Sequence, residues 1–283
     1  MKIKYLGTAA SEGWPAVFCR CKYCLEAKKR GGKDIRTRSQ ALINDDLMLD
    51  WPADTYAHSL HHSIDLSAVK YLFITHPHSD HFYPSELVMR GGPYGHDMAS
   101  ENLNVYSSYH AKNFCYQYAG MQFCEEVDAH IRWHILHPYE PVHAGPYTVT
   151  PLPAKHMNEI PLMQPFCYLI EDGKKSILYL HDTGRALDDV LLYLQKENKK
   201  VDLVSFDCTY ELNPSGGDKD GHMGVDDNIR LREKLLHLKI CHQDTRYVVN
   251  HFSHNSGVHH KELCEAVNPQ GLEVAFDGME VKL

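Results

Sequence analysis

The 283-residue chain has no run approaching the roughly 18 consecutive apolar residues that span a bilayer, which excludes a membrane-crossing helix. It also lacks a charged start followed by an apolar stretch and a small-residue cleavage site. Met1-Lys2-Ile3-Lys4-Tyr5-Leu6-Gly7 opens directly as a short strand, and the expected location is cytoplasmic. Positive charge is short: 29 Lys and Arg against 37 Asp and Glu leave a net charge of −8, which argues against nucleic acid held by a general basic surface. Linkers, internal repeats and low-complexity tracts are missing. Strands alternate with helices along the whole length, so residues 1–283 read as one α/β domain. The nine cysteines are an odd number, and without an export signal they read as thiols or metal ligands rather than a disulfide framework.

Histidine is what the chain has in excess, 21 in 283 residues, and this points to metal chemistry. The organising stretch is Thr75-His76-Pro77-His78-Ser79-Asp80-His81, which follows the strand-like run Val69 to Ile74. A strand end holds imidazoles and a carboxylate at fixed directions, as a divalent metal requires. His76 and His78 can point the same way, while Asp80 and His81 turn toward a neighbouring position. Four such ligands exceed what one catalytic zinc takes from a protein, so two adjacent metals are the economical reading.

Further strand ends carry ligand types. Tyr147 to Leu152 runs into Pro153-Ala154-Lys155-His156, and a hairpin of Phe166 to Glu171 with Lys175 to Leu180 delivers His181-Asp182-Thr183-Gly184. Asp182 equally suits the cap of a helix starting near Arg185. Val201 to Phe206 ends in Asp207-Cys208-Thr209, a polar, glycine-rich loop from Tyr210 to Gly221 leads to His222, and Thr245 to Val249 ends in Asn250-His251-Phe252-Ser253-His254. Near the start, Cys19-Arg20-Cys21-Lys22-Tyr23-Cys24 lets a bent backbone present three thiolates to one ion. Tetrahedral zinc then needs a fourth ligand, for which spacing leaves His254, Cys241 and Cys264 eligible. Elsewhere, Ser39 to Ile43 and Leu47 to Asp50 form a hairpin, and Pro52 to Ser63 forms a helix with His58, His61 and His62 on a solvated surface. Pro84 to Arg90 is a short helix broken by the loop Arg90 to Gly95, which could cover the metal cluster. The chain closes with a helix near Val258 to Ala266 and a strand pair across Asp277-Gly278.

The histidine cluster and its later partners resemble the metallo-beta-lactamase superfamily. The resemblance implies a four-layer αββα sandwich of two mixed sheets flanked by helices. It implies His76, His78 and His156 at a first metal, Asp80, His81 and His251 at a second, and Asp182 between them, with zinc or manganese as the pair. The Cys-X-Cys-X-X-Cys knuckle and the His-X-X-His ending are similar to the phosphoribosyl cyclic phosphate phosphodiesterases of the carbon-phosphorus lyase pathway. That likeness selects His254 as the fourth ligand of a structural zinc with Cys19, Cys21 and Cys24. It makes His222 a catalytic histidine, with Asp80 and Asp207 completing the catalytic set and Asp207 orienting a histidine. The implied activity is hydrolysis of a small cyclic or nucleotide-like phosphodiester by metal-activated hydroxide, with no membrane partner and a homodimer left open. Ser79 stands where oxygen-reducing di-iron relatives carry Glu, and Asp182 where one group of true beta-lactamases has Cys. His181 replaces a small hydroxyl residue, and the region from Ala111 to His143 is longer than its counterpart; both put the substrate in question. Ribonuclease Z-like RNA processing and a metal-binding accessory protein resembling the B protein of pyrroloquinoline quinone synthesis are the rival readings.

Overall fold

Short strands with alternating faces dominate both halves of the chain. The computed structural model describes residues 1–156, 164–214 and 221–283. One sheet holds β1 (Lys2–Gly7), β2 (Gln40–Ile43), β3 (Leu47–Leu49), β4 (Tyr71–Phe73), β5 (Leu103–Ser107) and β6 (Ile131–Ile135), in that spatial order. The other holds β7 (Val142–Ala144), β8 (Tyr147–Pro153), β9 (Phe166–Glu171), β10 (Ser176–Leu180), β11 (Val201–Asp207), β12 (Cys241–Asn250) and β13 (Glu273–Val274). A last strand, β14 (Glu280–Lys282), returns to the first sheet beside β1, so both sheets have seven strands. Both are mixed: β1, β2 and β3 pair antiparallel and β3 to β6 parallel, while β7 to β10 pair antiparallel and β10 to β13 parallel.

The period of two in strand side chains separates the layers. Ile3, Tyr5, Ala41, Ile43, Leu47, Leu49 and Phe73 join a core with residues of the second sheet such as Val149, Tyr168 and Ile177. Leu6, Leu42, Met48 and Leu72 point the other way, into an outer core. That outer core is closed by α3 (Tyr109–Ala119), whose Ala111 and Cys115 lie on one face at i and i+4 spacing, and by Val127 of α4 (Glu125–Ala129). The Ser108 hydroxyl accepts from the Ala111 amide and caps α3. On the far side of the second sheet, α5 (Asp188–Lys196), α6 (Val225–His237) and α7 (His260–Val267) bury Leu194, Leu235 and Leu263. The architecture is the four-layer αββα sandwich, with α1 (Lys22–Arg30) near the start of the chain and α2 (Thr55–His62) after β3.

Several local expectations are corrected. β13 and β14 do not pair across Asp277-Gly278: β13 extends the second sheet and β14 the first, because the chain crosses the sandwich between them. His58 is buried rather than solvated, since α2 lies against β1 and β2 and places its ring between Gln40 Oε1 and Thr37 Oγ1, both at 2.6 Å. Pro84–Met89 forms a 3-10 helix. Its following loop lines a separate, largely apolar cavity with Trp51, Tyr56 and Leu87 instead of covering the metal cluster. The helix expected from Arg185 starts at Asp188, out of reach of capping by Asp182. Most of the polar loop between Tyr210 and Gly221 lies outside the described residues. Among the described residues no helix is long and apolar enough to cross a membrane.

Among the contacts that join the sheets is an aromatic cluster. Phe73 is fully buried, stacks on Tyr106 at 4.3 Å between centroids and meets Tyr168 of the opposite sheet edge-on at 5.4 Å. Phe73→Ala is expected to lower stability by about 3–5 kcal/mol, read as a lower denaturant midpoint at unchanged slope.

Candidate metal centre

Four parallel strands stop at one edge of the sandwich, and their carboxyl ends carry the ligand types. β4 leads into His76, His78, Asp80 and His81; β10 into Asp182; β11 ends in Asp207; and β12 leads into His251. β8, an antiparallel strand, delivers His156 to the same place. The side chains form two groups whose ligand atoms lie within 4.8 Å of one another: His76, His78 and His156, and beside them Asp80, His81, Asp182 and His251.

In the first group His78 Nδ1 lies 2.9 Å from His76 Nε2 and 3.2 Å from His156 Nε2. One ring proton can bridge only one such pair, so the remaining lone pairs converge on a common point. Burial holds His76 well below the ordinary histidine value and brings His156 down to about 4, and loss of hydration also lowers His78, whose side chain is more exposed. Neutral imidazole is the form that binds metal.

In the second group Asp182 Oδ2 is 3.1 Å from His81 Nε2, and Oδ1 is 3.1 Å from His251 Nε2. Asp80 Oδ2 approaches the same two nitrogens at 3.4 and 3.5 Å. Asp182 Oδ2 also faces His76 Nε2 and His156 Nε2, both at 3.9 Å, and so lies between the groups. Burial opposes ionisation of Asp80 and Asp182, yet the imidazoles of His81 and His251 outweigh it and hold both carboxyls well below the usual range. Burial likewise opposes charge on His81, but Asp182, Asp80 and Asp50 lift it well above the ordinary value. This group therefore draws in positive charge. Asp182 Oδ1 is buried and makes no hydrogen bond, although His251 Nε2 is close. An orphaned carboxylate oxygen facing nitrogen lone pairs fits a divalent cation.

Each of four rings is held from behind. His81 Nδ1 donates to Asp50 Oδ2 at 2.7 Å, and Asp50 also accepts from the Thr75 amide and hydroxyl. His76 Nδ1 donates to Thr75 Oγ1 at 3.0 Å, His251 Nδ1 to Thr209 Oγ1 at 2.9 Å, and His156 Nδ1 to the Gly221 carbonyl at 3.3 Å. Occupying Nδ1 leaves Nε2 free to face the cluster in every case. Asp50 and His251 hold φ of 66° and 64°, a left-handed backbone rare outside glycine and tolerated where the surroundings fix it.

His222 stands on the wall of a cavity of about 610 Å³ whose lining includes His78, Asp80, Asp182 and His251, and Asp207 is fully buried behind it. His222 Nδ1 donates to Asp207 Oδ2 at 2.8 Å. Burial opposes the imidazolium, but the Asp207 carboxylate outweighs it and lifts His222 to about 9. Asp207 also accepts from the Thr209 hydroxyl, which ties it to His251 through one atom.

At the N-terminal knuckle, Cys19, Cys21, Cys24 and His254 converge. The Cys24 and Cys21 amides donate to the sulfurs of Cys21 and Cys19 at 3.4 and 3.3 Å, and His254 Nδ1 lies 3.8 Å from Cys21 Sγ. The backbone N–H of Cys24 is the main influence bringing the Cys21 thiol down to about 6, while burial pushes Cys24 up to about 12. Of the eligible fourth groups, His254 reaches the thiols, whereas Cys264 contacts His260 and Cys241 is buried in β12.

Sequence reasoning missed Asp50, Thr75 and Thr209 as supports. An Asp directly after the apolar strand Leu47–Leu49 was the available signal for the first. His181 is buried beneath the site: its Nε2 shares a hydrogen bond with Ser205 Oγ at 2.9 Å, its ring stacks on Tyr179, and it meets the ring of His251 edge-on at 6.4 Å between centroids.

The sequence profile of the beta-lactamase superfamily domain matches residues 48–251. No curated protein matches the sequence. Among solved structures, the chain is similar to a diphosphatase from the PhnP family, with 18% identity, a TM-score of 0.72 and coverage of 100% of this chain and 97% of that one. It is equally similar to Zn(2+)-bound PqqB from Methylobacterium extorquens, at 18% identity, a TM-score of 0.72 and full coverage of both chains. The short form of human tRNase Z shares 16% identity with a TM-score of 0.63, covering 100% of this chain and 99% of that one. With most of its length matched by the family profile and the two ligand groups at the expected strand ends, the chain belongs to the metallo-beta-lactamase superfamily.

Proposed function

We propose that the chain is a metal-dependent hydrolase acting on a small cyclic or nucleotide-like phosphodiester, with two divalent ions, zinc or manganese, held at the strand-end groups. The observation that carries this reading is His222 on the wall of the cavity that the ligand groups line, its Nδ1 held by Asp207 Oδ2 at 2.8 Å. Bound there, a metal pair supplies a strongly polarised water and neutralises charge developing on the phosphoryl oxygens. His76, His78 and His156 would hold one ion and Asp80, His81 and His251 the other, with Asp182 shared. The chain's own residues do the rest. Asp207 keeps His222 charged and aimed, and His222 gives its proton to the departing alkoxide. The names of two structural relatives, a diphosphatase and a tRNase Z, support phosphoryl chemistry.

Cys19, Cys21, Cys24 and His254 are proposed as a separate structural zinc site. His254 lies three residues after His251, so this site would brace the loop that carries a ligand of the metal pair.

Hydrolysis of bis(p-nitrophenyl) phosphate by protein loaded with zinc or manganese tests the activity; metal uptake without turnover would instead indicate an accessory protein. His222→Ala is expected to lower kcat about 10²–10⁴-fold. Because the proton on His222 is present below pH about 9 and lost above it, the wild-type rate should fall on the alkaline side of that value. Asp207→Asn should move the same limb to lower pH, because the carboxylate that opposes the burial of His222 is gone. Asp50→Asn should weaken retention of the second ion by about 10–100-fold in chelator competition. Elemental analysis of His254→Ala should show one zinc fewer per chain, with the paired ions kept.

A further inference from the structure

We infer that Glu12 selects the organic part of the substrate by accepting hydrogen bonds from hydroxyls of a neutral polyhydroxyl group attached to the phosphate; this assignment rests on the phosphodiester reading. Glu12 lies in the loop after β1 and lines the same cavity as His78, Asp182 and His222. Its carboxylate is fixed from the protein side. The Ser253 hydroxyl donates to Oε1. Ser253 Oγ in turn accepts from the Asn255 amide N–H at 3.2 Å and from the Asn255 side-chain amide at 3.1 Å, so its single proton is committed to Glu12. His254 adds a second restraint: Nε2 lies 3.8 Å from Glu12 Oε1 while Nδ1 faces Cys21. The thiol knuckle thus sits behind the carboxylate.

Oε2 has a different environment. Its one protein neighbour among the described hydrogen bonds is Ser11 Oγ at 3.5 Å, the outer limit of a hydrogen bond, which leaves lone pairs able to accept from a ligand. The Glu12 side chain is 27% exposed, so solvent-side groups can reach it. Around it the cavity presents hydroxyl and amide groups from Ser11, Asn213, Asn255 and Ser256. Such a wall both donates and accepts, which suits a sugar or glycerol-like group. An ionised carboxylate only accepts, so it favours hydroxyl donors and repels a second phosphate placed beside it. At about 610 Å³ the cavity is of the size that takes a nucleoside-sized molecule.

The test is calorimetric binding of three nucleoside monophosphates to the metal-loaded protein. The probes are adenosine 5′-monophosphate, its 2′,3′-dideoxy form, and its 3′-amino-3′-deoxy form. Wild type is expected to bind the diol-bearing probe about tenfold or more tightly than the dideoxy form, on the worth of hydrogen bonds to a charged acceptor. Glu12→Gln is expected to remove most of that difference. Equal binding of the diol and dideoxy probes by wild type would overturn the assignment, as would failure of the diol probe to bind. Full discrimination persisting in Glu12→Gln would overturn it too, and tighter binding of the amino probe would replace it with recognition of a cation. If Glu12→Gln does not fold, Glu12→Asp takes its place: its shorter carboxylate is expected to lose most of the discrimination, and full discrimination in it would overturn the assignment. Hydrolysis of bis(p-nitrophenyl) phosphate, which has no hydroxyl, reports on the phosphodiester reading separately: loss of turnover with diol discrimination intact would sink the chemistry and leave the role of Glu12 standing.

Discussion

The Asp182 carboxylate is 3% exposed and sits 3.1 Å from ring nitrogens that reach it from different sheets, His81 after β4 and His251 after β12. Taking a carboxylate out of water costs several kcal/mol unless opposite charge meets it. In this protein that compensation comes from groups that neither sheet supplies by itself, so the electrostatics of the site and the packing of the sandwich are one problem. The aromatic contact of Phe73 with Tyr168 holds the sheets in register a few residues from where their strand ends must meet.

The supporting hydrogen bonds show how rigidity is passed outward. Asp50 binds both Thr75 and His81, Thr75 binds His76, and Thr209 links His251 to Asp207 and through it to His222. Each hydroxyl donates to a carboxylate and lies within reach of two rings, Thr75 of His76 and His81 and Thr209 of His251 and His222. Two members of this web, Asp50 and His251, keep a left-handed backbone. The strain is tolerated because several bonds fix each residue at once.

Much of this was legible in the sequence. The run from His76 to His81 after an apolar strand lies beside the later strand-end residues His156, Asp182 and His251, the grouping that the superfamily resemblance implies, and the two-sheet sandwich follows the same likeness. What could not be read has a common cause. His58 looked solvated because its burial depends on Gln40 and Thr37, partners brought by tertiary packing rather than by helix period. Thr75 and Thr209 are ordinary residues in the sequence, and their roles exist only once a ring nitrogen is placed beside them. The separation of β13 from β14 escaped for a similar reason: Asp277-Gly278 has the composition of a hairpin turn, but sheet membership is decided by long-range pairing.

That crossing ties the two sheets together at one side of the molecule. β14 lies against β1 in the first sheet, while β13 belongs to the second sheet beside β12. The segment between them therefore acts as a strap over the sandwich: peeling β14 away would uncover the edge of β1 and loosen one sheet from the other in the same event.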